Sequence, residues 1–273
     1  MTTSRTSQAE SNLSWAADPY ANALRHGRGP LFLRRTDGLL MPLDVERWCL
    51  GADDADLSAL RRCEGPVLDV GCGPGRLVAA LSRRGHRALG IDVSEAAVAR
   101  TRGLGGWALR RSVFDPLPGA GRWGTVLLAD GNIGIGGDPS ALLERVGVLL
   151  APGGLLLVET HALDLDERFE VHLHDGSADA PAPGRGGSGA LPAPFPWARL
   201  GTPALLRYAR PQGWEPVDQW ESGGRPFVAL RRRGAVRPAR RSAERTSQSA
   251  EAAKSAPVTR SQLPRKTSGE SPV

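Results

Sequence analysis

From Gly65 onward the chain alternates short apolar runs with stretches whose apolar residues recur every three or four positions. Alternating strand and helix signals of this kind mark a parallel sheet with helices on its faces. Strands are expected at Pro66–Val70, Ala88–Asp92, Ala108–Phe114, Thr125–Asp130 and Leu155–Glu159. Helices are expected between them at Arg76–Arg84, Glu95–Leu104 and Pro139–Leu150, with Ser94 as the N-cap of the second. Runs such as Val126-Leu-Leu-Ala129 and Leu155-Leu-Leu-Val158 lack polar alternation, which suits strands buried on both faces.

The flanks read differently. A short amphipathic helix near Trp15–His26 leads into Leu31–Leu43, where Asp37-Gly38 signals a tight turn between two alternating strands. Asp53-Asp54 can cap a helix reaching Cys63. Residues 161–196 are less regular, with a candidate strand at Phe169–Leu173 and a glycine-rich loop at Gly184–Gly189. A helix near Leu200–Ala209 follows, then strands at Trp214–Trp220 and Pro226–Arg231 around Ser222-Gly223-Gly224. The expected organisation is an N-terminal helix-and-hairpin cap over 1–64, an α/β domain over 65–233 with an irregular insertion at 161–196, and a disordered basic tail over 234–273.

Charge sharpens that division. The chain carries a net charge of +6, yet Leu230–Val273 alone holds eleven Lys or Arg against three Asp or Glu. The rest of the molecule is slightly acidic, so the basicity belongs to a tail poor in large apolar residues. A solvated tail is the expectation, and nucleic acid is disfavoured as a partner. Cys49, Cys63 and Cys72 are odd in number and widely spaced, which fits a reducing cytoplasm better than a disulfide framework. The first residues have no apolar run, so no secretory signal is expected. Val146–Val158 is shorter than the roughly 20 residues of a membrane span, so no membrane insertion is expected.

The chemistry concentrates in Pro66-Val-Leu-Asp-Val-Gly-Cys-Gly-Pro-Gly-Arg76, an apolar strand running into Gly71, Gly73 and Gly75 before a helix. Glycines there allow a sharp turn and let a ligand approach the main chain. Asp92 ends the next strand, 21 residues after Gly71, where a carboxylate can accept hydrogen bonds from ribose hydroxyls. The G-x-G-x-G spacing brings the third glycine one residue earlier than in dinucleotide enzymes.

These residues resemble the class I S-adenosylmethionine-dependent methyltransferases. Val67-Leu-Asp-Val-Gly-Cys-Gly-Pro-Gly75 is similar to that family's first motif, and Gly90-Ile-Asp-Val-Ser94 to the motif at the second strand's end. Ser112-Val-Phe-Asp-Pro-Leu-Pro118 and Leu149-Leu-Ala-Pro-Gly-Gly154 resemble two later ones. The resemblance implies a Rossmann-like α/β fold, a seven-stranded, mostly parallel sheet with helices on both faces and an antiparallel last strand. It implies S-adenosyl-L-methionine as cofactor. Asp69, Gly71, Cys72, Gly73 and Gly75 would lie against its methionine part, and Asp92 with Val93 at its ribose. Phe114 and Asp115 would sit beside the adenine, and Asp130, Gly131 and Asn132, with Ile133, near the sulfonium.

The acceptor is open: a small molecule, modified on oxygen or nitrogen. Candidate bases are His161, Tyr20 and Glu159, with His26 and Asp130 behind them. Trp15, Tyr20, Phe32, Phe195 and Trp197 either line an acceptor pocket or form local core. His172 and His174 alternate on one strand face without further ligands, so no metal site is expected. Gly134 and Gly136 are expected to pack bare backbone against the donor, so that bulk there weakens donor binding without harming the fold. A non-catalytic donor-binding module, a nicotinamide-dependent oxidoreductase and a nucleic-acid modifier are the competing readings. Oligomeric state is not encoded in any motif.

Overall fold

The computed structural model describes residues 18–177 and 193–233. The Trp15 end of the first helix, the Gly184–Gly189 loop and the tail lie outside the described residues. In chain order the elements begin with α1 (Asp18–His26), β1 (Phe32–Arg35), β2 (Leu40–Pro42), α2 (Val45–Cys49) and α3 (Asp54–Leu60). There follow β3 (Val67–Val70), α4 (Arg76–Arg83), β4 (Ala88–Asp92), α5 (Glu95–Gly103), β5 (Ala108–Arg110) and β6 (Trp123–Leu128). Next come α6 (Pro139–Leu149), β7 (Leu150–Glu159), β8 (Asp166–His174) and β9 (Phe195–Leu200). The series closes with α7 (Thr202–Ala209), β10 (Trp214–Ser222) and β11 (Arg225–Arg232).

Seven strands form one sheet in the order β10-β11-β7-β6-β3-β4-β5. The inner strands pair in parallel, whereas β11 runs antiparallel to both β7 and β10. Successive residues of each strand feed opposite layers, as the pleat requires. Leu68, Val126, Leu128, Leu156 and Val228 pack against α6 and α7 through Leu142, Leu143, Val146 and Leu205. Val67, Leu127, Leu157 and Ala229 pack against α3, α4 and α5 through Leu60, Leu77, Leu81 and Val98. Both faces are therefore covered, which explains why the central strands read as continuous apolar runs. Caps fix the helix starts: Asp53 and Asp56 form a reciprocal capping box at α3, and Asp138 caps α6.

A second, four-stranded antiparallel sheet has the order β2-β1-β8-β9. It joins the N-terminal hairpin to residues after position 161, so these two parts are not separate pieces but one layer. Leu31, Leu33, Val171, Leu173, Phe195 and Trp197 form its apolar side with Tyr20 and Leu24 of α1 and Val45 of α2.

Three boundaries differ from expectation. The 161–196 stretch contributes a nine-residue strand, β8, and β9 begins at Phe195, where the sequence showed no strand. Pro196 disguised it: proline cannot donate to a ladder, but β9 is the edge strand of its sheet, laddered to β8 on one side and touched on the other by a single bridge from Ile135 to Trp197. Leu200 ends β9, and α7 starts two residues later, after Gly201. Strand β5 stops at Arg110 instead of Phe114, because Asp115 accepts the Ser112 N–H (2.9 Å) and folds 112–115 into a turn.

Candidate active site

The carboxyl ends of β3, β4 and β6 open onto a cavity of about 860 Å³ including its mouth. In a sheet of this type such a crevice is where ligands bind. One wall is the loop after β3. Gly71 and Gly73 sit at φ +69° and +53°, conformations in which a side chain is strained. Gly71 is also pressed by Asn132, whose Nδ2 donates to Val70 O (2.8 Å) and Gly71 O (3.0 Å). The Gly73 N–H donates to Asp92 Oδ2 (2.9 Å), while the Ser94 N–H donates to Oδ1 (2.8 Å). Glycine bend and carboxylate thus face each other. Burial pushes the Asp92 carboxyl up to about 6, against the opposing pull of these backbone donors.

Cys72 and Val93 share the cavity wall with Gly71, Gly73 and Asp92. Burial raises the Cys72 thiol well above its ordinary range, which keeps it protonated. Among the expected positions, Gly75, Asp69 and Gly131 fall outside the wall, as do Phe114 and Asp115 beyond β4. Gly75 instead lets α4 approach α5: a side chain there would lie 2.5 Å from Thr101 Oγ1. Asp69 is almost completely buried beneath the loop, its Oδ2 without a partner among the described residues. Burial raises its carboxyl to about 7, with Arg76 pulling the other way and Asp130 and Asp56 adding to the rise. Gly131, at φ +78°, is not part of the cavity lining although its neighbours Asp130 and Asn132 are.

On the far side of β4 the wall is Arg111, Ser112 and Val113, one step before the expected Phe114 and Asp115. Phe114 packs against the main core, and the Asp115 carboxylate closes its own turn.

The loop after β6 carries a charge cluster that the sequence reading missed. Asp130, a non-glycine residue at φ +55°, lines the cavity beside Asn132. Arg76 Nη1 and Nη2 reach its two carboxylate oxygens (2.7 and 3.0 Å), and Arg47 Nη2 shares Oδ1 (2.8 Å). Burial alone would raise the Asp130 carboxyl, but Arg76, Arg47 and Arg225 outweigh it and hold it below the usual range. Arg76 is itself 4% exposed and is paired on its other edge with Asp56 (2.7 and 2.9 Å). One signal was available: a basic residue in the first turn of α4 opposes the helix dipole.

The candidate bases have the following partners. Asp130 is tied to guanidinium groups. Glu159 is gripped by Arg225 (2.8 and 2.7 Å) and accepts the Asp130 N–H (2.8 Å), so it braces the loop. His161 lies outside the cavity wall; its Nδ1 accepts the Leu163 N–H (3.0 Å), and burial together with Arg199 lowers its basicity. His26 is bonded to Asn22 O on α1. Tyr20 does line the cavity, with its hydroxyl 3.6 Å from where a Gly73 side chain would project. Burial first, and Asp92 second, push that phenol well above its ordinary range.

The remaining wall is apolar: Leu43, Trp48, Ile135 and Trp197. Of the aromatic residues expected near an acceptor, Tyr20 and Trp197 line the cavity, while Phe32 and Phe195 belong to the small sheet and Trp15 lies outside the described residues. Gly134 touches that sheet, not the donor cradle. A side chain there would come 2.1 Å from Ala198 O and 2.8 Å from Trp197 Nε1, so bulk at Gly134 would disturb the fold itself.

Residues 52–214, more than half of the chain, match the family model described as a methyltransferase domain. The chain belongs to that family. Its methyltransferase fold is similar to that of a SAM-dependent methyltransferase from Bacteroides fragilis in complex with S-adenosyl-L-homocysteine. That match has a TM-score of 0.60 and 20% identity, and covers 82% of this chain and 94% of that one. A Burkholderia thailandensis 1,6-didemethyltoxoflavin-N1-methyltransferase is similar at TM-score 0.46 and 19% identity, over 66% and 78%. A glycopeptide N-methyltransferase complexed with S-adenosyl-L-methionine gives TM-score 0.46 and 18% identity, over 66% and 92%. The S-adenosyl-L-methionine expectation rests on features that the cavity does contain: bare backbone at Gly71 and Gly73 facing a carboxylate at Asp92. The nicotinamide reading is set aside. Among the described residues, no helix is long and apolar enough to cross a membrane.

Proposed function

We propose that the methyltransferase modifies a small, largely apolar acceptor with a planar part, on nitrogen or oxygen. The observation that carries this reading is the wall of Leu43, Trp48, Ile135 and Trp197 completing the cavity whose other side is the donor cradle. Binding pockets of this kind combine apolar and aromatic walls with few polar groups. We assign the glycine bend to the methionine part of the donor, Asp92 to its ribose, Arg111–Val113 to the adenine side and the Asp130–Asn132 loop to the neighbourhood of the sulfonium.

When bound, the donor supplies an electrophilic methyl group for in-line displacement by the acceptor's lone pair. The residues then have to orient and exclude water, and positioning alone contributes roughly 7–11 kcal/mol. Four described cavity residues could in principle take a proton. Tyr20 and Cys72 are held protonated by burial, Asp130 is committed to arginines, and Asp92 is committed to backbone donors and ribose. The acceptor therefore arrives with its nucleophilic lone pair already free, as a neutral amine, a ring nitrogen or an acidic hydroxyl does. The free cysteines Cys49, Cys63 and Cys72 support a cytoplasmic setting. Nucleic acid is left outside the proposal.

Labelled methyl transfer into a panel of planar heteroaromatic amines, phenols and aliphatic controls tests the reading. Planar acceptors should be methylated and Trp48→Ala should raise their KM at least tenfold. Preference for aliphatic or polymeric acceptors, or no response to Trp48→Ala, would overturn it.

A further inference from the structure

The cavity draws on residues outside the family match. Tyr20, Leu43 and Trp48 precede residue 52, and so does Arg47, which bonds to the cavity residue Asp130. Arg47 and Trp48 are consecutive on α2, a single turn, and consecutive helical residues point about 100° apart. They accordingly serve different neighbours. Arg47 reaches Asp130, whereas Trp48 lines the apolar wall and packs on the small sheet's core. Asp130 is in turn fixed to α4 by Arg76 and to β7 by Glu159, and Asn132, two residues on, is bonded to the glycine bend at Val70 and Gly71. Hydrogen bonds at both ends of the short 130–132 backbone thus link the glycine bend, through Asn132 and Asp130, to Arg47, and one peptide bond further stands Trp48.

We infer that Arg47 is a positioning residue coupling donor binding to the acceptor wall: filling the donor cradle stiffens the 130–132 loop, and Arg47 passes that order to α2 and so to Trp48. The inference rests on the acceptor reading only in naming Trp48's face as acceptor wall. Its geometry supports a coupling in preference to a static brace for two reasons. Arg47 joins α2 to the 130–132 loop by a charged hydrogen bond, while α2 is otherwise held by Asp44 capping, by the Gly29 N–H on Glu46 and by apolar packing on the small sheet's core. Asp130 also keeps its bidentate Arg76 pair when Arg47 is removed, so the donor side has an independent support. Contiguity alone does not prove coupling, and a perturbation must be seen to travel.

Hydrogen exchange with and without S-adenosylhomocysteine reads this directly, with no acceptor needed. The reporters are the Trp48 and Leu50 amides, which donate to Asp44 O and Glu46 O. In the wild-type chain the ligand should slow their exchange at least tenfold. In Arg47→Gln that slowing should vanish while the calorimetric Kd for S-adenosylhomocysteine stays within threefold, and Arg47→Lys, which keeps the charge but loses the planar fork, should restore part of it. Absence of slowing in the wild type, or equal slowing in both variants, would overturn the inference. Should Arg47→Gln fold poorly, the Arg47→Lys comparison against wild type decides by the same readout. A failed acceptor screen with intact ligand-dependent slowing would instead count against the acceptor reading alone.

Discussion

Asp92 and Asp69 sit on adjacent strands, β4 and β3, and their titrations separate them. Asp92 faces the cavity, and in the proposed ribose role the ionised carboxylate is the form that would accept hydrogen bonds from the hydroxyls. With its carboxyl at about 6, donor affinity should fall as pH is lowered from 7.5 to 5.5. Asp92→Asn should flatten that dependence and cost about 1.5–3 kcal/mol, roughly ten- to more than a hundredfold in Kd. Calorimetry with S-adenosylhomocysteine at the two pH values checks both; a steep wild-type slope retained in the variant would place the titrating group elsewhere. Asp69 is covered by the loop and acts on stability. Its folded value, about 7, lies above the 3.8 of an unperturbed carboxyl, so the unfolded chain ionises first. Its contribution is therefore intact below 3.8 and is lost as pH rises through 7, by at most about 4 kcal/mol. Asp69→Asn should gain on the wild type progressively from pH 4 to pH 7 and then level off. Urea unfolding across that range measures the difference, and a gap that does not change with pH would refute the assignment.

At the scale of elements, the junction between the loop after β6 and strand β9 is the tightest place near the site. Gly134→Ala drives a methyl group into Ala198 O, and neither backbone can yield without moving Trp197. The expected cost is about 3 kcal/mol, or roughly 6–12 °C in Tm for a domain of this size. Donor affinity should change less than Tm, because the contact belongs to the acceptor-side strand; a normal Tm with lost donor binding would restore the opposite view of this loop. The same junction shows what a one-dimensional reading can and cannot reach. The central strands, the glycine bend and Asp92 were legible because local rules fix them: a strand buried on both faces must be apolar, and a sharp turn needs Gly71 and Gly73. β9 was hidden because Pro196 is forbidden in a central strand and harmless at an edge, and edge or centre is a tertiary property. Arg76 and Arg47 were hidden for a related reason. Their partners Asp56 and Asp130 lie 20 and 83 residues away, and no periodicity connects them. Glu159 and His161 are the converse case: residue type and strand end made them plausible bases, and only their partners in space show one gripped by Arg225 and the other outside the wall.

For the whole molecule, the two sheets divide the labour, and the division makes a prediction that neither sheet would make alone. The seven-stranded sheet supplies the glycine bend, Asp92 and Asp130, anchored in cores built mainly from that sheet and its helices, to which the small sheet contributes Leu200 at the end of β9. The small sheet and its two helices supply Tyr20, Leu43, Trp48 and Trp197 through a separate cluster that contains Leu173. Removing bulk from a buried leucine costs about 2–5 kcal/mol and loosens what packs on it. Leu173 lies on β8, directly opposite Leu33 of hairpin strand β1, with β9 on the other side of β8. The effect of Leu173→Ala should therefore fall on the acceptor. KM for the acceptor should rise several-fold or more, the S-adenosylhomocysteine Kd should hold within about threefold, and Tm should fall with the lost packing. The mirror substitution, Leu68→Ala beneath the glycine bend, should weaken donor binding more than it alters acceptor KM. If both substitutions shifted the two constants together, the layers would be one cooperative unit as far as binding is concerned. Separate responses would mean that the donor cradle came with the common sheet, while the choice of acceptor lies in the strands added at its N-terminal side and after β7.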